Sequence, residues 1–357
     1  MLRVASILAF FGYMMALKFF TRKKVNNNLH FCWLFSFLGY AYLSQYWAYN
    51  TDVVFEVLNN VVWATLMGVA SSTYVIYYDL SVEQIAKRLA FVSFAFIVSA
   101  ALLGGVSDNG RMSADNNANS LGLMGSQLFI FLFYLSKQKR WKNYFLNVLI
   151  IVLSLLTLIS GSRKALMIMS LSCIVCLYYE KPTADMGKIF TRIGGIVVLG
   201  VVTYFSIMHV DFLYTSIGNR VESYITSRSN ELAADGSMIT RELMRERAYE
   251  IFKQHFWFGA GLNNFKYLTY WNTYSHNNYC ELAACLGIIG LLVYYCPLFF
   301  YVIKTVEFWL RARVEIVVAL LVLGTGVLSD FGLVSYSSIS SNIFYGIAIG
   351  VISRMRK

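Results

Sequence analysis

The chain has 357 residues, of which 58% are hydrophobic and only 14% are charged, and its mean hydropathy is +0.57. A soluble domain carries about 25% charged residues, so this balance excludes a soluble globular protein, a disordered chain and a small disulfide-bonded scaffold. A polytopic membrane protein remains. Since a spanning helix needs about 20 residues, the length allows roughly ten to twelve spans plus one modest extramembrane region.

Apolar runs long enough to span a membrane are found eleven times along the chain. We expect each of them to be a helix, because an isolated strand cannot satisfy its backbone polar groups in lipid. Their predicted bounds are 3–20, 29–48, 57–78, 89–107, 119–136, 143–160, 164–179, 189–209, 278–303, 314–330 and 338–353. The fold class is therefore an all-α polytopic membrane protein with eleven transmembrane helices, or twelve if one has been missed.

The runs divide the chain into three parts. Residues 1–209 hold transmembrane helices 1–8, residues 210–277 form one large outward-facing loop with short helices, and residues 278–357 hold helices 9–11 and a basic C-terminus. The first run has no small-x-small cleavage site after it, so we interpret it as a retained span and not as a signal peptide.

Charge asymmetry predicts the orientation of the spans. One set of connections holds most of the Lys and Arg residues, at 22–24, 87–88, 137–142, 181–188, 304–313 and 354–357. The short segments on the other side hold few, so the first set is cytoplasmic, the C-terminus lies inside and the N-terminus outside. Most of the net charge of +11 is this asymmetry, and no nucleic-acid partner is implied.

Two outer segments in the first half of the chain carry candidate ligand-binding groups. Arg111 and Asn119 lie in and after an Asn-rich loop before the fifth span, where a plain turn is the alternative. Arg163 follows Ser160-Gly161-Ser162 at the outer end of the sixth and seventh spans. Its planar guanidinium suits phosphate oxygens, and the alternative is an interfacial arginine bound to lipid headgroups.

The large loop carries two further candidates. A helix is predicted over about 238–256, and on it Arg241 and Arg245 lie one turn apart, so they could clamp an anion such as pyrophosphate. Ordinary surface ion pairs are the alternative. At the return to the membrane, His276-Asn277 and then Glu281 are compatible with recognition of sugar hydroxyls, and the histidine with general acid–base chemistry or with a structural role.

All of these groups fall on the predicted outer side, which favours a site for an anionic, sugar-like ligand. The sequence has no motif for a soluble nucleotide and no His, Cys or carboxylate set with metal-ligand spacing. We therefore expect neither a cofactor nor a metal ion.

The motifs, taken in order, resemble those of the bacterial O-antigen ligase and polymerase superfamily. Ser160-Gly161-Ser162-Arg163-Lys164-Ala165 is similar to its helix start, and Asn119-Ser120-Leu121-Gly122 to another span start. Arg241 followed by Gly259-Ala260-Gly261 resembles its loop pattern, and His276-Asn277-x-Tyr279 with Leu286-Gly287 and Gly290-Leu291 resembles its return signature. Where the family has an aromatic residue four positions after the loop arginine, this chain has Arg245.

The resemblance implies a metal-independent glycosyltransferase of the inner membrane whose active site faces outward. Its donor would be an undecaprenyl-pyrophosphate-linked oligosaccharide, and its other partners membrane lipid, a chain-length regulator and a flippase. Carried onto this chain, Arg163, Arg241 and His276 would be catalytic. The supporting substrate-binding groups would be Arg245, Asn277, Glu281, Asn119 and Arg111.

Three functions stay open at this point. Lys164 directly after the arginine resembles polymerase members, which join one lipid-linked glycan to the next repeat unit. A ligase would instead transfer the finished glycan to lipid A-core. A non-enzymatic flippase is the third reading, and it would require charged residues along the whole depth of several spans.

Overall fold

The computed structural model describes residues 2–20, 25–106, 112–113, 118–137, 144–179, 205, 209, 236–309 and 314–355. Over these residues the chain forms helices and one two-residue antiparallel ladder, in which β1 (Gly105–Val106) pairs with β2 (Met112–Ser113). The helices before residue 180 are α1 (Leu2–Phe20), α2 (Asn28–Leu43), α3 (Thr51–Tyr77), α4 (Val82–Leu103), α5 (Ala118–Lys137), α6 (Tyr144–Ile159) and α7 (Arg163–Tyr179). Those after residue 235 are α8 (Gly236–Gln254), α9 (Asn264–Leu268), α10 (Asn278–Trp309), α11 (Val314–Ser329) and α12 (Ile339–Arg354).

Each predicted apolar run within the described residues is a helix. The run at 189–209 lies outside them, apart from residues 205 and 209, and so does the loop from 210 to 235. The loop helix predicted over 238–256 is α8. By length and hydropathy, four described helical stretches could cross a membrane: Thr51–Tyr77, Val82–Leu102, Asn119–Lys137 and Asn278–Glu307. The chain is a multi-pass membrane protein, and the count of eleven or twelve spans stays a prediction.

The chain divides into two compact units, of which the first comprises Met1–Ser81 with Ser237–Lys357 and the second Val82–Gly236. In the first unit, α3 and α12 pack most extensively. Small residues allow this approach: a Cβ atom on Gly346 would overlap the carbonyl oxygen of Gly68, and one on Gly350 would lie 2.7 Å from Cβ of Val75. Helix pairs in membranes use small residues in this way, because lipid provides no hydrophobic drive for their association.

The two ends of the first unit are distinct. At one end, Leu262 donates its amide to Ser44 Oγ (3.0 Å) and Asn278 donates its amide to the Asp330 carbonyl (2.8 Å). The start of α3, the end of α8, the start of α10 and the α11–α12 connection therefore meet there. At the other end, Arg354 pairs with Glu315 at 3.1 Å.

In the second unit, α5 packs against α4, α6 and α7. Ala100, Leu121 and Leu156 are buried together at its core, and Phe96, Ile97 and Val152 pack against them.

Candidate active site

One face of helix α8 is buried, and Arg241 lies at the N-terminal end of that face. Met244, Ala248 and Ile251 are almost fully buried and follow the spacing of a single helix face. Arg241 lies one turn before Met244 on that face and is half-buried. Arg245 lies off that face, is exposed and pairs with Glu242. The periodicity thus distinguishes Arg241, which the resemblance implies to be catalytic, from Arg245, which it implies to be supporting.

Tyr274 lies among the charged candidates of the first unit. Burial raises the pKa of its hydroxyl, the nearby Arg241 guanidinium lowers it, and the Glu281 carboxylate raises it, with a net shift upward. The phenol therefore stays protonated at neutral pH and can donate a hydrogen bond. Its ring centroid lies 4.4 Å from that of His276. The structure thus brings Arg241, Tyr274, His276 and Glu281 into one cluster, which we call the arginine–histidine cluster.

His276 has a left-handed backbone conformation, with φ 55°. Such a conformation is uncommon for a residue other than glycine, costs on the order of 1–3 kcal/mol and is found most often at functional sites. Two neighbours hold it in place. The Ser275 amide donates to Glu281 Oε2 at 2.7 Å, and the Ser275 hydroxyl donates to the Asn277 carbonyl at 3.0 Å. The turn that carries the histidine is therefore fixed from both sides.

Asn277 and Glu281 are both committed to shaping this turn. Asn277 Oδ1 accepts from the amides of Tyr279 (3.0 Å) and Cys280 (3.2 Å), which satisfies two donors at the start of α10. Glu281 is fully buried, and its second oxygen accepts from the Cys285 thiol at 3.4 Å. These contacts give both residues a positioning role around His276.

A buried polar network anchors the start of α10 to the end of α11. Asp330 Oδ2 accepts from the Tyr295 hydroxyl at 2.7 Å and from the Asn278 amide group at 3.3 Å. Asn278 Oδ1 accepts from the Ser335 amide at 3.1 Å. Sequence reasoning missed Asp330, although an acid at the end of an apolar run is itself a signal of function or pairing in a membrane protein.

Helix α10 is broken between Asn278 and Tyr295 of this network, at Gly287, where φ is 65° and ψ is −169°. In an unbroken helix the amides of Ile288 and Ile289 would donate to the carbonyls four residues earlier. Here they donate instead to the carbonyls of Phe256 (2.8 Å) and Trp257 (3.3 Å). The loop after α8 therefore supplies the acceptors that the break removes.

The same loop, together with Tyr40 of α2, also supplies the missing donors. The Ala260 amide donates to Ala284 O at 3.0 Å, the Gly261 amide to Cys285 O at 2.8 Å, and the Tyr40 hydroxyl to Leu286 O at 3.0 Å. Irregular backbone is tolerated at membrane depth only where protein satisfies its polar groups. The Gly259–Gly261 and Leu286–Gly287 motifs are thus two halves of one joint, which we call the glycine joint.

The second unit brings its own two motifs together. A Cβ atom on Gly122 of α5 would overlap Ser160 Oγ and would lie 2.7 Å from Cβ of Ser162. Asn119, one turn before Gly122, therefore begins α5 beside the Ser160–Ser162 turn that leads into α7. Arg163 is the first residue of α7, and its side chain lies outside the described part of the structure. Arg111 also lies outside the described residues.

Residues 148–295 match the family model of the O-antigen ligase domain, Wzy_C. This segment is similar to the O-antigen ligase domain family. The resemblance to the O-antigen ligase/polymerase superfamily that the motifs predict is confirmed, although the match covers less than half of the chain. No curated protein matches the chain.

The matched segment includes most of the features described above. Its matched residues run from α6 through the Ser160–Arg163 turn, α8, the arginine–histidine cluster and the glycine joint. Asp330 and Asn119 lie outside the match. The match supports an enzyme that transfers glycan from a lipid-linked oligosaccharide in a membrane.

The chemistry available in the described cluster is that of a cation, a proton acceptor and a proton donor close together. Arg241 can hold an anion, the His276 imidazole can accept a proton, and Tyr274 can donate a hydrogen bond. Within the described residues, no group of three or more His, Cys, Asp and Glu side chains is placed to hold a metal ion. Metal independence stays a prediction.

Proposed function

We propose that the protein is a polysaccharide polymerase for O-antigen or capsule. It transfers glycan from an undecaprenyl-pyrophosphate donor to the next lipid-linked repeat unit on the outer side of the inner membrane. The observation that carries the proposal is the arginine–histidine cluster inside the segment that matches the O-antigen ligase family: half-buried Arg241 acts electrostatically on Tyr274, and the Tyr274 ring contacts the ring of strained His276.

The reaction needs positive charge where the leaving group develops its own. As the bond between the anomeric carbon and the pyrophosphate oxygen breaks, negative charge grows on undecaprenyl pyrophosphate. Arg241, which is partly shielded from solvent on the buried face of α8, stabilises this charge, and Arg163 serves as the second cation. Arginine suits this task because its fork can bind two phosphate oxygens at once. Arg245 adds support from the exposed side, and Arg111 and Asn119 would contact the same substrate.

The acceptor hydroxyl must lose its proton as its oxygen attacks the anomeric carbon. His276 in its neutral form takes that proton, and Tyr274 keeps the imidazole ring in orientation through their ring contact. Asn277 and Glu281 act on the substrate through this turn, since their oxygens hold its backbone. The products are an extended lipid-linked glycan and undecaprenyl pyrophosphate.

Charge supports a site outside the cytoplasm. The sequence is strongly basic at 22–24, 304–313 and 354–357, and Arg354, which pairs with Glu315, lies at the end of the first unit opposite the arginine–histidine cluster. By the positive-inside rule that basic end is cytoplasmic. A donor flipped outward and a chain-length regulator are the partners that such a polymerase requires.

A ligase is the second candidate, and the match to the O-antigen ligase family favours it. A ligase would use the same cluster but would transfer the whole glycan to lipid A-core. Lys164 directly after Arg163 favours the polymerase by resemblance. A flippase is the weakest candidate, because the described charged residues concentrate at helix ends and connections.

Gel electrophoresis of surface polysaccharide from a deletion strain tests the proposal. A polymerase deletion leaves one repeat unit per lipid anchor and no ladder. A ligase deletion instead leaves long chains on undecaprenyl pyrophosphate and none on lipid A-core. Loss of all lipid-linked glycan on the outer side would indicate the flippase and overturn the proposed enzyme.

A further inference from the structure

A cavity of about 500 Å³ opens at the end of the first unit that carries the arginine–histidine cluster. Its lining includes Trp47 and Tyr49 from the α2–α3 connection and Gln254, His255, Trp257 and Phe258 from the end of α8. Nothing in the proposed reaction uses these residues. The volume is within the range of about 300–1,000 Å³ that is typical of ligand pockets. We call it the aromatic pocket.

The walls of the aromatic pocket are preformed. The Trp47 indole N–H donates to the Phe258 carbonyl at 3.1 Å, and the two rings lie edge to face with centroids 5.7 Å apart. The backbone of Trp257 is fixed by the glycine joint, because its carbonyl accepts from Ile289. A preformed wall lowers the entropic cost of binding a ligand.

The chemistry of the lining favours a neutral ligand with hydroxyl groups. The described lining has no Arg or Lys side chain to bind a pyrophosphate and no Asp or Glu side chain. The Tyr49 hydroxyl and His255 Nε2 lie 3.1 Å apart at the pocket, and Gln254 adds an amide. A polyprenyl chain cannot form hydrogen bonds with these polar groups. A sugar has hydroxyls that can bind them and an apolar C–H face that can pack on the aromatic rings.

The aromatic rings of the pocket are exposed to solvent, as expected of a surface that a ligand covers when it binds. The side chain of Trp257 is 63% exposed and that of Phe258 54% exposed, although both belong to a turn with a fixed backbone. An aromatic belt at the lipid interface would also expose such rings. However, a belt residue turns its polar atom to water or headgroups, whereas the Trp47 N–H is bonded within the wall.

We propose that the aromatic pocket binds neutral sugar rings of the glycan chain whose end reacts at the arginine–histidine cluster. This inference rests on the proposed function. Helix α8 connects the two places, since Arg241 and Gln254 are separated along it by about 20 Å at 1.5 Å per residue. A glycan of several sugars spans that separation, but a single sugar does not. The pocket therefore holds the chain while the anomeric carbon at its reducing end reacts and the whole chain is transferred.

The test is a binding measurement that involves no transfer. The probe is the host's surface polysaccharide, released by mild acid so that it carries neither lipid nor pyrophosphate. It is titrated by calorimetry into the full-length protein in nanodiscs. Trp257→Ala should weaken binding about tenfold or more, and Tyr49→Phe a few-fold through the lost hydroxyl. Tyr270→Ala is the matched control, because Tyr270 is an exposed aromatic residue outside the pocket lining.

Two further titrations separate the alternatives. Undecaprenyl phosphate should bind Trp257→Ala as it binds the wild type, and Arg241→Lys should bind the released glycan normally while losing transfer. Wild-type affinity of Trp257→Ala for the glycan would overturn the inference. A loss of undecaprenyl phosphate binding in that variant would also overturn it, by making the pocket an isoprenoid site. Failure of the proposed function would be seen separately, in the deletion gel.

Discussion

Gly259 and Gly287 cross so closely that a Cβ atom on Gly287 would lie 2.7 Å from the amide nitrogen of Gly259. Both have positive φ, of 72° and 65°. A Cβ atom on Gly259 would in turn overlap the Cys285 carbonyl. Neither position has room for a side chain or a backbone conformation that one favours. This contact joins the loop after α8 to the break in α10, the helix that follows the turn of His276.

Alanine at either glycine should therefore destabilise the protein. Gly259→Ala or Gly287→Ala should cost on the order of 3 kcal/mol, from backbone strain and overpacking together. The thermal midpoint and the membrane abundance should both fall. Gly39→Ala is the control, since a Cβ atom there meets nothing within 4 Å. Equal stability of Gly259→Ala and Gly39→Ala would contradict the close packing of the two backbones at the glycine joint.

The two loop arginines should differ in their contributions to turnover. Arg241→Ala should lower turnover roughly a hundredfold, or about 3 kcal/mol, because it removes a charge-assisted contact to the leaving group. Arg241→Lys should fail nearly as badly, since lysine lacks the bidentate fork. Arg245→Ala should lose much less, because Arg245 is exposed and paired with Glu242. Transfer assays at matched protein levels measure this difference.

The exposed Arg247, which pairs with Glu250 at 2.7 Å, is the control for general charge loss on α8. Arg247→Ala should transfer glycan like the wild type. A larger defect in Arg245→Ala than in Arg241→Ala would reverse the assignment that the buried face supports.

The effect of His276 on turnover can be separated from its effect on folding by a substitution that tolerates the same backbone conformation. Asparagine tolerates the left-handed conformation better than alanine does, so His276→Asn should reach normal membrane abundance. Its turnover should fall at least a hundredfold, whereas donor binding should change little, since the base acts on the acceptor hydroxyl. His209→Asn, at an exposed histidine outside the cluster, is the control. Wild-type turnover in His276→Asn would remove the histidine from the reaction.

Orientation is tested by fusions to a reporter that is active only outside the cytoplasm. A fusion after Gly236 should be active and one after Lys139 silent, because the basic connections remain inside. The opposite pattern would place the arginine–histidine cluster on the cytoplasmic side and contradict the proposed donor.

Helices were predictable from the sequence because a membrane-spanning run is a local signal. The run at 57–78 became α3 and that at 314–330 became α11, with bounds shifted by a few residues. Which loop arginine lies on the buried face was in principle also visible, since Met244, Ala248 and Ile251 follow Arg241 at helical spacing.

Contacts between distant segments could not be predicted. Gly259-Ala260-Gly261 was visible as a motif, but its partners at 284–289 are hydrogen-bonded through the backbone and leave no side-chain signal. Asp330 likewise binds Asn278, 52 residues earlier in the chain. A single sequence does not say which distant segments pair. Glycines and acids in apolar runs show only which positions need a partner.

Reconstitution of the purified protein tests the central claim most directly. The wild type, His276→Asn and Arg241→Lys would be placed in nanodiscs with an undecaprenyl-pyrophosphate-linked repeat unit as the only glycan and with EDTA present. The account predicts that the wild type makes a ladder of longer lipid-linked glycans and releases undecaprenyl pyrophosphate, and that both variants do neither. No ladder from the wild type, or an undiminished ladder from both variants, would contradict it.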